Sequence, residues 1–166
     1  MAGIAAGTIS PSKRDAFLQS QKLLRLATVG SDGTPHVVPV WYVYKNGKIY
    51  IGTNTQTQKA HNLEGRPRAG FSVDEGSGMY NVTAVTGSGS VTFIMDKMEV
   101  ERIERLIMDK YHLSGDDADK VLTITDCIIV ITPDRFSAWH VPDPLAGQSH
   151  PKGIMSKKEA AKLIYG

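Results

Sequence analysis

The dipeptide Asn46-Gly47 constrains the fold of this 166-residue chain more than any other feature, because it directly joins two strand-like segments. Before it, residues 36–44 are rich in β-branched and aromatic side chains. After it, Lys48 to Thr53 alternates apolar Ile49 and Ile51 with other residues. An Asn-Gly pair between such segments predicts a tight hairpin, because both central positions of the turn favour positive φ. The sequence therefore predicts antiparallel strands here.

The remaining patterns extend this antiparallel arrangement. We predict helices from Pro11 to about Leu24, at about 56–64 and at 96–111, and further strands at 26–29, 68–74, 81–93, 127–132 and 136–141. The first three strands have no helix between them, whereas parallel strands need a crossover of about a dozen residues or more. Gly87-Ser88-Gly89-Ser90 predicts a bulge or bend inside one strand. The expected fold is mainly β with peripheral α, a six- to seven-stranded antiparallel barrel.

We expect a single domain over residues 1–166, in which 1–10 and 142–166 are peripheral tails and a short helix follows Ser156. Lys and Arg number 19 against 17 Asp and Glu, and they are scattered, which argues against nucleic acid as a partner. No apolar run approaches the ~20 residues of a membrane span, and the N-terminus lacks a basic signal-peptide region. We therefore expect a cytoplasmic protein that acts on a small molecule.

Cysteine and histidine usage indicates no disulfide or metal site. The one cysteine, Cys127, precedes Ile128-Ile129-Val130 and is interpreted as a small buried hydrophobic residue. The five histidines are widely spaced, and no two form the i, i+4 pair of a helical metal site. No acid, base or nucleophile pattern identifies a catalytic residue.

The segment Gly52 to Leu63 predicts a binding site for an anion. A strand pattern ends in a run of hydroxyl and amide side chains and changes to a helix pattern with Lys59 near its start. A helix N-terminus has unpaired N–H groups and a partial positive charge, so a phosphate is favoured there. In the alternative interpretation, Thr55 or Thr57 only caps the helix and Lys59 is solvated.

The order of these parts resembles the pyridoxamine 5'-phosphate oxidase-like family of flavin-binding split β-barrels. The resemblance covers about Phe17 to Val141. Three motifs in fixed order carry it: Tyr50-Ile51-Gly52-Thr53-Asn54, then Lys59-Ala60-His61-Asn62-Leu63, then Arg66-Pro67-Arg68-Ala69. The resemblance implies a homodimer that binds FMN in a cleft between two barrels.

The resemblance also implies which residues bind the cofactor. The flavin ring is expected along Val37 to Tyr42, the phosphate at Thr53 and Lys59, and a late aromatic residue near the cleft. Because Pro39 has no N–H, backbone donors must come from its neighbours. The full set is Val37, Val38, Pro39, Val40, Trp41, Gly52, Thr53, Asn54, Thr57, Gln58, Lys59 and Trp139. In the alternative interpretation, Trp41 and Trp139 pack in the barrel core.

Several departures argue against the reaction after which the family is named. The vitamin-synthesising oxidases carry an Arg and a Lys at the ends of the flavin strand, where this chain has Val37 and Tyr42. Their Arg-Lys pair is replaced by Gln58-Lys59, and their arginine-rich C-terminal signature is absent. Each lost charge-assisted contact costs about 1.5–3 kcal/mol. We do not expect this protein to oxidise pyridoxamine phosphate.

Three functions remain open from the sequence. The first is an FMN-dependent oxidoreductase of unidentified substrate. The second is a deazaflavin-dependent reductase, because Gly33 to Trp41 is similar to such relatives. Its cofactor has a longer acidic tail, for which Lys59, Arg66 and Arg68 are available. The third is a protein that stores flavin or binds haem without turnover, using His140 or His150. Gln58 in place of an arginine favours FMN over the deazaflavin.

Overall fold

The computed structural model describes residues 7–76 and 80–143, so His150 and the tail helix expected after Ser156 lie outside it. The strands are β1 (Gly7–Thr8), β2 (Leu24–Val29), β3 (Pro35–Val40), β4 (Val43–Lys45), β5 (Lys48–Thr53), β6 (Arg68–Glu75), β7 (Val82–Ile94) and β8 (Cys127–Val141). The helices are α1 (Pro11–Ser20), α2 (Gln58–Gly65), α3 (Lys97–Tyr111) and α4 (Asp116–Ile124).

Seven strands form one curled antiparallel sheet in the order β3-β2-β6-β7-β8-β5-β4, and β1 adds to β8. The hairpin is confirmed, with φ of 52° at Asn46 and 74° at Gly47. An irregularity occurs where the bulge or bend was predicted, because the β7–β8 register shifts between Ser88 and Gly89, but the extra residue is Asp134 of β8. The fold is therefore mainly β with peripheral helices, as expected of a split barrel.

Two predicted strand boundaries are wrong. Residues 36–44 form two strands because the chain leaves β2 after Val40 and joins β5 at Val43. Tyr42 anchors this crossing, since its buried hydroxyl donates a 2.6 Å hydrogen bond to the Leu18 carbonyl. The two strands predicted around Pro133 are instead one strand. Pro133 lies beside the register shift, where a ladder hydrogen bond is already interrupted and the missing N–H is tolerated.

Two helix predictions also need correction. The first helix ends at Ser20, and residues from Leu24 onward belong to β2 because Leu24 and Leu26 are buried in the sheet core. Helix α4 was not predicted, since Gly115-Asp116-Asp117 resembles a loop. Its first turn holds three aspartates, whose charges favour a helix N-terminus.

The buried residues form two cores on opposite faces of the sheet. The larger core lies inside the curve of the sheet and includes Ile49, Ile51, Ile129 and Ile131. The smaller core lies on the outer face, where Val100, Ile103 and Ile107 of α3 pack against Ile128 and Val130 of β8. Helix α3 is thereby held across the outer face beside β5. No helix within the described residues is long and apolar enough to span a membrane.

The close approach of β7 and β8 at their register shift requires a glycine at position 89. A Cβ there would lie 2.3 Å from the Thr132 carbonyl oxygen and 2.8 Å from the Pro133 Cα. We expect Gly89→Ala to lower the free energy of unfolding by about 2 kcal/mol or more in urea titrations. Gly65→Ala, where nothing lies within 4 Å, is the matched control and should change stability by less than about 0.5 kcal/mol. Equal stability of the two variants would contradict the packing described here.

Candidate functional site

A cleft of about 540 Å³ lies where β5 ends and α2 begins. The connection between β3 and β4 forms one wall with Val40 and Trp41. Helix α3 contributes Glu104 and Ile107, and α4 closes the opposite side with Val121 and Ile124. The volume lies within the roughly 300–1,000 Å³ that is typical of small-molecule sites.

The polar end of the cleft is the turn between β5 and α2. Thr57 occupies the N-cap position of α2, yet its side chain makes no capping hydrogen bond. Its hydroxyl instead donates to the Asn54 carbonyl at 2.8 Å and lies 3.3 Å from the Thr53 hydroxyl. Thr57 is therefore the N-cap residue that the alternative interpretation expects, but its side chain does not bond to the first-turn N–H groups. The first-turn N–H groups of α2 keep their capacity to bind an anion.

Contacts from the α4–β8 connection fix the shape of this turn. Asp126 accepts hydrogen bonds from both the backbone N–H and the hydroxyl of Thr55, each at 2.8 Å. The Asn54 side chain donates to the Ile124 carbonyl at 3.0 Å and accepts from the Gln56 N–H at 2.9 Å. Thr55 and Asn54 are thus held by the protein itself, which preorganises the start of α2.

Lys59 is the cation at this end of the cleft. Its side chain is half-buried, and burial lowers the pKa of its ammonium group. No ion pair to Lys59 occurs among the described residues. Cys127 is close enough to interact with it, but burial raises the pKa of this thiol to about 12. The thiol is therefore neutral near pH 7, and the positive charge of Lys59 is left for a ligand.

Trp41 forms the apolar end of the cleft. The Trp41 ring stacks on Tyr111 with 4.6 Å between centroids and 14° between planes. The Tyr111 hydroxyl is held by the backbone of Tyr42, whose N–H donates to it at 3.0 Å, and by the Lys22 carbonyl. Trp41 is 42% exposed and belongs to neither core, so the interpretation as a core residue is wrong for it. The pair offers a rigid flat surface to a ring.

Glu104 lies in the cleft and was missed by the sequence analysis. Glu104 is only 4% exposed, and its Oε2 has no hydrogen-bond partner in the described part of the chain. Burial raises the pKa of its carboxyl group to about 7. The available signal was its position on the apolar face of α3, between Val100 and Met108. A charged residue at such a position is unusual unless it has a partner.

The structure brings seven of the predicted cofactor residues to this cleft: Val40, Trp41, Gly52, Thr53, Asn54, Thr57 and Lys59. Val37, Val38 and Pro39 lie further back along β3, outside its lining. Gln58 turns away, because its amide donates to Asn62 Oδ1 at 2.8 Å. Trp139 pairs with Ala84 and Thr8 at the opposite end of β8 from Cys127, so within one chain it lies far from the cleft.

The other two cations considered for a longer acidic ligand are already engaged. Arg66 donates to the carbonyls of Gly30 and Ser31 in the β2–β3 turn. Arg68 pairs with Asp134, with 2.8 Å between its Nη1 and Oδ2. Neither lines the cleft. Within residues 7–76 and 80–143, no group of three His, Cys, Asp or Glu side chains is arranged to hold a metal ion.

Comparison with known families identifies this architecture. The family model for pyridoxamine 5'-phosphate oxidase matches residues 11–140, which is most of the chain. The chain belongs to the pyridoxamine 5'-phosphate oxidase family. No curated protein matches its sequence.

The names of three proteins with solved structures of this fold refer to three different ligands. An F420 reductase is 26% identical with a TM-score of 0.60, and the match covers 77% of this chain and 98% of that one. An FAD-binding protein from Mesorhizobium loti is 20% identical with a TM-score of 0.64 over 82% and 97% of the two chains. The haem storage protein HutZ from Vibrio cholerae is 17% identical with a TM-score of 0.65 over 80% and 96%. Membership of the family therefore leaves the ligand to be argued from the site.

Because the Glu104 carboxyl is buried, we expect the free energy of unfolding to fall as pH rises. Its pKa is about 7 in the folded chain against 4.5 unfolded, so the unfolded state loses its proton first. At about 1.4 kcal/mol per pKa unit, the advantage of Glu104→Gln over wild type should grow by about 3 kcal/mol between pH 4.5 and 7. Urea titrations across this range measure it. A difference between the two proteins that stays flat over this range would refute the assignment.

Proposed function

We propose that this protein is a homodimeric FMN-binding flavoprotein that catalyses oxidation or reduction of a small molecule. One observation carries the proposal. A single cleft has a cation and a helix N-terminus without a side-chain cap at one end, and at the other end Trp41, which stacks on Tyr111. This is the distribution of charge and apolar surface that a phosphorylated flavin needs.

The polar end fits the phosphate. Lys59 has no ion-pair partner among the described residues, and the first-turn N–H groups of α2 are oriented along the helix axis towards the same space. Thr53 adds a hydroxyl that lies 3.3 Å from the Thr57 hydroxyl. A helix N-terminus, a cation and a hydroxyl together provide both charge and directed hydrogen bonds for an anion.

The apolar end fits the ring. Trp41 gives a flat exposed surface held in place by Tyr111, and Val40 ends the edge strand β3. Because β3 pairs only with β2 among the described residues, backbone groups on its other side are free to meet polar atoms of a ring. A bound flavin supplies hydride or electron transfer, and the protein's residues orient it and exclude water.

Charge favours FMN over the deazaflavin cofactor. A longer acidic tail needs more cations, but Arg66 and Arg68 are engaged elsewhere, and among the described residues Lys59 is the one cation that lines the cleft. Haem is less favoured, because none of the histidines within residues 7–76 and 80–143 lines the cleft, and His140 lies 2.9 Å from the Thr83 hydroxyl on the far part of β8. The missing phosphate-binding arginines still argue against pyridoxamine phosphate as substrate.

The test is titration of the purified protein with FMN and riboflavin, monitored by flavin fluorescence and absorption. We expect wild type to bind both, and Lys59→Ala to weaken FMN about tenfold or more while riboflavin is nearly unaffected, because only FMN carries the phosphate. Lys48→Ala, an exposed lysine at the other end of β5, is the matched control and should leave both affinities unchanged.

Two results would count against this function. Equal weakening of FMN and riboflavin by Lys59→Ala would show that Lys59 is not a phosphate contact. FMN would be excluded as the cofactor if the purified protein is colourless and takes up no added flavin. It would also be excluded if the purified protein is coloured and releases a haem or a deazaflavin on denaturation.

The outer face of β2 and β3 is our candidate for the dimer interface. Val37 is 61% exposed on the edge strand β3, and Val29 is 41% exposed on the neighbouring β2, where it pairs with Pro35 on the same face. Contiguous exposed apolar residues on an edge are typical of association surfaces. Pairing of two chains through this face would put the partner's residues against the cleft. Trp139, remote from the cleft of its own chain, is then a candidate contributor to the partner's site.

We expect sedimentation to show a dimer, and Val37→Glu to weaken it by at least tenfold because a charge would be buried in the interface. Met98→Glu is the matched control, since Met98 is 81% exposed on α3, and it should remain dimeric. A compact monomer that still holds flavin tightly would contradict an intersubunit cleft.

A further inference from the structure

Glu104 has no role in the sheet, the cores or the phosphate end described above. A carboxyl oxygen that is buried and unpartnered costs free energy, and natural structures contain few such groups without a functional reason. Glu104 lines the cleft rather than a sealed cavity, so a ligand in the cleft can reach it. A hydrogen-bond partner for the carboxyl group of Glu104 is therefore expected on the ligand.

Gly52 makes room for this carboxyl. A Cβ at position 52 would lie 1.7 Å from Glu104 Oε2 and 2.6 Å from its carboxyl carbon. The carboxyl thus occupies the space where a side chain of β5 would otherwise stand. Gly52 is not required by a turn, since it lies inside the strand and has no positive φ. The glycine and the glutamate form one unit at the floor of the cleft.

The position of this unit suggests what it contacts. Glu104 and Tyr111 are two turns apart on one face of α3, which is about 10 Å along the helix axis. Tyr111 supports the aromatic end through Trp41, whereas Gly52 directly precedes Thr53 at the phosphate end. A ligand that extends from Trp41 to Thr53 must pass over Gly52 and Glu104.

We propose that Glu104 is a positioning residue that accepts hydrogen bonds from hydroxyl groups of the polyol chain joining the flavin ring to its phosphate. The inference deepens the proposed function and rests on it. A hydroxyl donates well to a carboxylate, and such charge-assisted bonds are the stronger kind. The same carboxylate repels a phosphate, so it helps to confine the phosphate to Lys59 and gives the ligand one orientation.

The ionisable groups around Glu104 are few. Among the described lining residues the only other one is Lys59 of α2, while β5, α4 and the β3–β4 connection contribute uncharged residues. Cys127 of β8 and Tyr111 of α3 stand behind the two ends, and burial raises the pKa of both. Hydroxyl donors favour the ionised form of Glu104, so the polyol contact should strengthen as pH rises from 6 to 8.

The test compares riboflavin, which has the polyol chain but no phosphate, with lumiflavin, which carries a methyl group in its place. We expect Glu104→Gln to weaken riboflavin about tenfold and to leave lumiflavin unchanged. In wild type, the preference for riboflavin over lumiflavin should increase from pH 6 to 8, and in Glu104→Gln this increase should disappear. Lys59→Ala should retain it, which separates Glu104 from the other titrating group.

Glu101→Gln on the same helix is the matched control, and thermal unfolding confirms that each variant is folded. Glu104→Ala provides a second variant, which should lose the riboflavin preference to a similar extent. If riboflavin and lumiflavin weaken equally in the Glu104 variants, or neither weakens, the polyol contact is refuted while flavin binding stands. If wild type binds no flavin, the proposed function and this inference both fail.

Discussion

The pairing of β8 with both β7 and β5 is the constraint on which the rest of the molecule depends. Cys127 to Ile131 are buried between the two neighbouring strands, and alternate side chains enter opposite cores. One core fills the curve of the sheet, and the other holds α3 against its outer face. Because α3 is fixed there, Glu104 and Ile107 stand beside the end of β5, and a cleft exists at that point.

The cleft keeps polar groups in states that folding alone disfavours. Burial lowers the pKa of Lys59 and raises the pKa of Glu104, so in both cases it favours the neutral form. Neither residue has an ionic partner among the described residues. By contrast, surface charges such as Arg102 and Glu99 are paired. Unpaired buried charge reduces stability, so its concentration in one cleft is an argument for ligand binding there.

Much of the fold was predictable because it is encoded locally. Asn46-Gly47 predicted the hairpin, and the alternation of Ile49 and Ile51 predicted the strand that follows. Residues 36–44 were wrongly taken as one strand, because local β propensity cannot distinguish which neighbour each half pairs with. Helix α4 was missed for a related reason, since its aspartates are equally typical of a loop and of a helix N-terminus.

For the site, the sequence alone determined the chemical types: a hydroxyl-rich turn, Lys59 at a helix start, and Trp41 after a strand. These follow from neighbours in the chain, which local patterns report. The tertiary structure decided which of them meet. It engaged Arg66 and Arg68 elsewhere and brought Glu104 against Gly52 from 52 positions away. The Glu104 contact depends on how α3 packs across the sheet, and the arginine contacts depend on which strands and turns lie together, so no local pattern carries this information.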